Sequence, residues 1–131
     1  RRQRQMCIET DFAATHRGAT LYIDRAQIEQ VLINLIKNAK ESCGQNTAPQ
    51  IEVELEQVPG KVCSLTVRDN GEGILPEVID KVFVPFFTTK PSGSGIGLSL
   101  CKQIMNLHGG TITVSSEIGK GSCFTLMFPG R

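Results

Sequence analysis

Five of the chain's 13 glycines fall between Asp69 and Leu98, in the run DNGEGILPEVIDKVFVPFFTTKPSGSGIGL. No single strand or helix can carry so many glycines and prolines, so the fold must accommodate a long irregular connection here. Long connections inside small domains are commonly functional. Glycine lets a backbone approach a ligand closely, and the second cluster, Gly93-Ser-Gly95-Ile-Gly97, runs into LSLCKQIMNLH, which reads as a helix. A glycine loop opening a helix offers amide hydrogens and a positive dipole end to phosphates. Asp69 repels phosphates, so it must read another part of the ligand. A base at one end and phosphates at the other describe a nucleotide. Each piece alone has a plainer reading, DNG as a turn and GSGIGL as a flexible linker. The first cluster is not a Rossmann fingerprint, and no G-x-x-x-x-G-K-[ST] is present.

A helix upstream sharpens the case. Asp24 is placed to cap it, Gln27 to complete a capping box, and Gly44 to stop it. At 100° per residue, Ile28, Val31, Leu32, Leu35, Ile36 and Ala39 share one stripe. Gln27, Gln30, Asn34, Lys37, Asn38 and Glu41 share the next. Asparagine prefers caps to helix interiors, so Asn34 and Asn38, one turn apart, call for a reason. Their neutral oxygens suit a hard cation carrying phosphates, with Lys37 nearby for charge. An ordinary polar face is the alternative.

The remaining elements follow from alternation and turn chemistry. Short strands are expected at 5–12 and 20–23, around a turn that holds His16 and Gly18. IEVELEQV (51–58) turns at Pro59-Gly60 into a strand over 61–69. Counting by two, Asp69 falls on the same inward face as Cys63, Leu65 and Val67. A buried carboxylate needs a partner, and an adenine amino group, a water or a backbone N–H would each serve. Pro76 opens a short helix to Lys81. Phe83, Phe86 and Phe87 are expected to pack on the body as the hinge of a lid whose polar tip, about Thr88 to Gly95, is mobile. The helix from about Gly95 to His108 should bury Leu100, Ile104 and Leu107, with His108 a charged partner of its C-terminus. A closing hairpin ends at Pro129.

Composition narrows the class. The 131 residues make one domain, 1–131, with 40% hydrophobic and 21% charged residues and a net charge of +1. That balance gives no case for nucleic-acid binding. No apolar run is long enough to span a bilayer, so no direct membrane contact and a cytoplasmic location are expected. The five scattered cysteines fit buried reduced thiols better than disulfides or zinc. The chain begins at Arg1 and reads as an excised part of something longer.

In order, the asparagine helix, DNGEG, FVPFFTTK, GSGIGL and the closing hairpin resemble the catalytic ATP-binding domain of two-component sensor histidine kinases. They correspond to that family's N, G1, F and G2 boxes, and they cover about Asp24 to Pro129. The resemblance implies an α+β fold, a two-layer α/β sandwich of the Bergerat type with a mixed sheet of about five strands under three helices. It implies ATP and Mg²⁺ as ligands. Asn38 would be the metal ligand, with Asn34 beside it and Lys37 near the phosphates as the catalytic set. Asp69 would accept from the adenine amino group, Gly71 and Gly73 would admit the base, and Ile74 and Phe87 would border it. Thr88, Thr89, Lys90, Gly93, Ser94, Gly95, Ile96 and Gly97 would form the phosphate-side lid, anchored by Leu98. FxPFFTTK is most similar to the nitrogen-regulator type.

The family's phosphoacceptor is a histidine on a separate helical hairpin, and neither His16 nor His108 fits that role. The implied partners are therefore the protein's own dimerisation domain with its acceptor histidine and, indirectly, a response-regulator receiver domain. A homodimeric full-length protein is implied, and it is open to membrane anchoring. Acceptor and sensor would lie outside this chain, so autophosphorylation by the chain alone is not expected. A gyrase-like hydrolase is disfavoured, because Asn34 stands where those enzymes carry a general-base glutamate. A serine-directed, anti-sigma-type kinase or a nucleotide-binding partner module stays open.

Overall fold

A computed structural model describes residues 24–44, 46–58, 62–88 and 95–129. Its elements in chain order are α1 (Arg25–Ser42), β1 (Ile51–Val58), β2 (Val62–Asp69), α2 (Pro76–Ile79), α3 (Gly97–Leu107), β3 (Thr111–Glu117) and β4 (Gly121–Pro129). The strands form one antiparallel sheet in the order β1-β2-β4-β3. The chain is α+β, with α1 and α3 packed side by side on one face of that sheet. Four described strands, all antiparallel, stand where about five in a mixed sheet are expected. The strands expected at 5–12 and 20–23 lie outside the described residues, as do His16 and Cys7.

Alternation decides which sheet face is covered. Val53 on β1, Cys63, Leu65 and Val67 on β2, and Phe124, Leu126 and Phe128 on β4 are buried, while Glu52, Glu54 and Glu56 face solvent. Helix α1 answers with Ile28, Val31, Leu35 and Ala39, its apolar stripe as expected. Leu35 and Val31 are fully buried, so trimming either leaves a cavity the packed layer cannot refill. Helix α3 buries Cys101, Ile104 and Met105 and packs Leu100 partly buried against the core, so Leu100 and Ile104 face inward as expected, while Leu107 is 72% exposed. Leu107 follows Ile104 by three and so shares its side of the helix, but it is the last residue of α3 and stays exposed there. Cys43, Cys63 and Cys101 are buried free thiols and Cys123 is half-buried. Burial pushes the Cys101 thiol up to about 11, which keeps it uncharged and unreactive at neutral pH.

The two helices are stitched at their ends. Asp24 caps α1 by accepting from the Gln27 amide at 3.1 Å. The return half of the expected capping box is replaced: the Asp24 amide donates to His108 Nε2 at 3.0 Å, while His108 Nδ1 donates to the Ile104 carbonyl at 2.8 Å. His108 thus bridges the end of α3 to the start of α1 through both ring nitrogens, where the sequence suggests a partner for its own helix terminus alone. No helix among the described residues is long and apolar enough to cross a membrane.

Candidate functional site

Strand β2 delivers Asp69 to the end of the covered sheet face, opposite Ser122 on β4, and both side chains are buried. The chain then turns sharply, and its neighbours hold the turn from three sides. The Glu72 amide donates to the Ser42 carbonyl at the end of α1 (3.2 Å). The Ile74 amide donates to Ser116 Oγ (2.7 Å), and the Gly119 amide to the Glu72 carbonyl (2.9 Å), which ties the turn to the β3–β4 hairpin. Asn70 clamps the loop before β1: it accepts from the Gln50 amide (2.8 Å) and donates to the Ala48 carbonyl (3.0 Å). A Cβ on Gly71 would strike Ser42, and one on Gly73, at φ +82°, would strike the Glu117 carbonyl. These glycines are therefore required by the protein's own close packing, before any ligand is considered.

A cleft of about 290 Å³ opens between α1, this turn and the start of α3. That volume is at the lower end of the range for small-molecule sites. Asn34, Lys37 and Asn38 line it from α1, and Gly73 and Ile74 from the turn. Phe87 and Thr88 close one side, and Gly95, Gly97 and Leu98 another. The polar stripe of α1 and the distant glycine clusters thus meet around one cavity. Asp69 and Gly71 do not themselves line the cleft; Asp69 is bonded to the Gly71 amide and to Ser42, which does line it. Ile96 is 44% exposed at the N-terminus of α3, where its own apolar side chain provides no cap. The first amides of a helix have no intrahelical acceptor, which is what makes a helix start suited to an anion. Thr89, Lys90, Gly93 and Ser94 lie outside the described residues, and so does most of the expected mobile tip.

Three features of the site were not legible in advance. Asn34 is held at both ends of its amide: Oδ1 accepts from Gln30 (3.3 Å), and Nδ2 donates to the Gly97 carbonyl (3.4 Å), joining α1 to the start of α3. The aromatic loop divides its labour. Phe83 packs edge-on against Phe124, with centroids 6.3 Å apart, beneath Lys102, and Phe87 borders the cleft. Phe86 is instead 76% exposed, at φ +68°, with its amide donating to the Gly95 carbonyl at 2.8 Å. Only two of the three phenylalanines pack on the body, because the bond to Gly95 turns the third outward. Finally, Glu41, Ser42, Glu72, Val78, Val82 and Ser122 also line the cleft. Glu41 carried a signal, since it continues the Asn34–Asn38 stripe; Ser122 carried none without the strand register.

A family model of the histidine kinase-, DNA gyrase B- and HSP90-like ATPases matches residues 23–131. The chain belongs to that family. Within this ATPase family its likeness is to the catalytic ATP-binding domains of sensor histidine kinases. The sensor histidine kinase ZraS of Escherichia coli K12 is 38% identical over 122 residues, which are 93% of this chain and 26% of that protein. The sensor protein FixL of Bradyrhizobium diazoefficiens is 37% identical over 113 residues, 86% of this chain and 22% of its own. The chain thus spans about a quarter of the length of the curated relatives it matches. The nucleotide-free catalytic domain of the histidine kinase ThkA superposes with a TM-score of 0.72 at 38% identity, covering 82% of this chain and 70% of that one. Full-length ShkA in complex with AMPPNP superposes with a TM-score of 0.71 at 25% identity, covering 82% of this chain and 23% of that one.

Proposed function

We propose that the cleft binds ATP with Mg²⁺ and presents the γ-phosphate to a histidine on a separate dimerisation domain of the same protein. A response-regulator receiver domain would then take the phosphoryl group, and the full-length protein would act as a homodimer. Neither nucleic acid nor direct membrane contact enters this scheme. The observation that carries it is the meeting of the α1 stripe, the turn after Asp69 and the start of α3 around one cavity.

Within it, Asp69 accepts from the adenine amino group, and Ile74 and Phe87 flank the base. The Gly95–Gly97 backbone and the first amides of α3 meet the phosphates, with Lys37 at the mouth adding positive charge. Thr88, Thr89, Lys90, Gly93, Ser94, Ile96 and Leu98 complete the phosphate side. The donor set fits Mg²⁺: Asn38 and Glu41 bring amide and carboxylate oxygens to one wall of the cleft, and hard oxygens are what this cation takes. Asn38 is assigned as its ligand, and the bound ion shields phosphate charge. Asn34 acts one step removed, by holding Gly97 and so the loop that meets the phosphates.

Such a domain supplies activated phosphate without supplying the nucleophile. His108 has both ring nitrogens committed, one to Ile104 and one to Asp24, so neither has a lone pair to offer. Incubation of the chain with γ-labelled ATP should leave the protein unlabelled. Adding the acceptor-histidine hairpin of its own full-length protein should place acid-labile label on that hairpin. Yields should be low, since mixing lacks the millimolar-order effective concentration a tether gives. Acid-labile label on His16 or His108 of the chain alone contradicts the proposal, and acid-stable label on serine points to the anti-sigma-type kinase.

A further inference from the structure

Asp69 uses its two carboxylate oxygens differently. Oδ1 accepts two hydrogen bonds, from the Gly71 amide at 2.8 Å and from Ser42 Oγ at 3.3 Å. Among the described residues no hydrogen bond to Oδ2 is seen, which leaves that oxygen of the buried Asp69 as the one available to a further donor. The terminal torsion of an aspartate is soft and broad, and one amide bond to Oδ1 does not fix the plane of the carboxylate. A second donor from another direction does. Ser42 is that donor, and its position is itself over-determined. It is the last residue of α1, its carbonyl accepts from the Glu72 amide at 3.2 Å, and Gly71 lies so close that a Cβ there would collide with it. The packing of α1 on the sheet thus sets where the hydroxyl stands.

Given the reading of the cleft as an adenine-nucleotide site, we propose that Ser42 is a positioning residue. It locks Asp69 so that Oδ2 faces the exocyclic amino group, and it thereby sets the preference for adenine over bases lacking that donor. Ser42 does this through its bond to Asp69 rather than by bonding the base, and no proton moves.

The test compares dissociation constants for ATP and for purine riboside 5′-triphosphate, which lacks only the amino group, on the whole chain by calorimetry. Wild type should prefer ATP. Ser42→Ala should weaken ATP by roughly fivefold, the equivalent of one ordinary hydrogen bond, and leave the amino-free analogue unchanged. The preference ratio then falls by the same factor. Ser42→Thr, which keeps the hydroxyl, should retain the wild-type ratio. Ser42→Cys, close in volume but a weak donor, should fall with the alanine variant and covers the case in which alanine disturbs packing. A purely structural role predicts equal weakening of both nucleotides at a constant ratio, and that result overturns the inference, as does an unchanged ratio in both Ser42→Ala and Ser42→Cys. A wild type without any ATP preference removes the adenine reading of Asp69 itself, and the inference with it.

Discussion

Asp69→Ala should weaken ATP binding by about a hundredfold or more, the largest loss expected from any single substitution in the turn. Three losses coincide. The charge-assisted bond to the adenine amino group goes, and bonds of that kind are worth about twice neutral ones. The Gly71 amide, now donating at 2.8 Å in a buried position, loses its acceptor. The Ser42 hydroxyl loses its acceptor as well. Stranding a buried donor costs about 1–3 kcal/mol, so the turn should loosen and the melting temperature fall. Affinity is therefore to be measured by titration well below the variant's melting midpoint. GTP should bind the wild type poorly, because guanine sets a carbonyl where a carboxylate expects a donor. Wild-type-like ATP affinity in Asp69→Ala would mean that the base sits elsewhere.

Asn38→Ala should lower phosphoryl transfer to the acceptor histidine by about two to three orders of magnitude, the usual effect of removing a group that stabilises transition-state charge. It should also make ATP affinity nearly insensitive to Mg²⁺. Asn34→Ala should act differently. Its amide bonds the Gly97 carbonyl and Gln30, so its loss frees the start of α3 and lowers ATP affinity several-fold while leaving the Mg²⁺ dependence intact. Labelling rates on the acceptor, taken across a Mg²⁺ series, separate the two. Equal, wild-type-like transfer by both variants would contradict the assignment of this helix face.

Much of the fold was legible because it rests on period and punctuation. Alternation over β1 and β2 placed Asp69 inward, and the 3.6-residue stripe of α1 named its buried side chains. What misled was context at element ends. Leu107 matches the period of α3 but, as its last residue, is left exposed. His108 has the look of a terminal cation, yet its two nitrogens are used by backbone groups, one of them 84 residues away. The aromatic content of FVPFF says that the loop must pack, but it cannot say that a left-handed Phe86 is turned out. The site was legible where it is written in local motifs. It was hidden where it depends on register, as with Ser122 opposite Asp69, or on one helix end meeting one turn, as with Ser42.

Mapping backbone amide shifts of the labelled chain during titration with Mg-ATP tests the nucleotide site most directly. Saturable shifts should gather at Asn38, Ser42, Asp69 through Ile74, Phe87 and Gly97, and titration without Mg²⁺ should spare Asn38 while still moving Gly71 and Gly73. Asp69→Ala should abolish the shifts at the same nucleotide concentration. Shifts that saturate on another face of the domain, or none at millimolar Mg-ATP, would contradict the account.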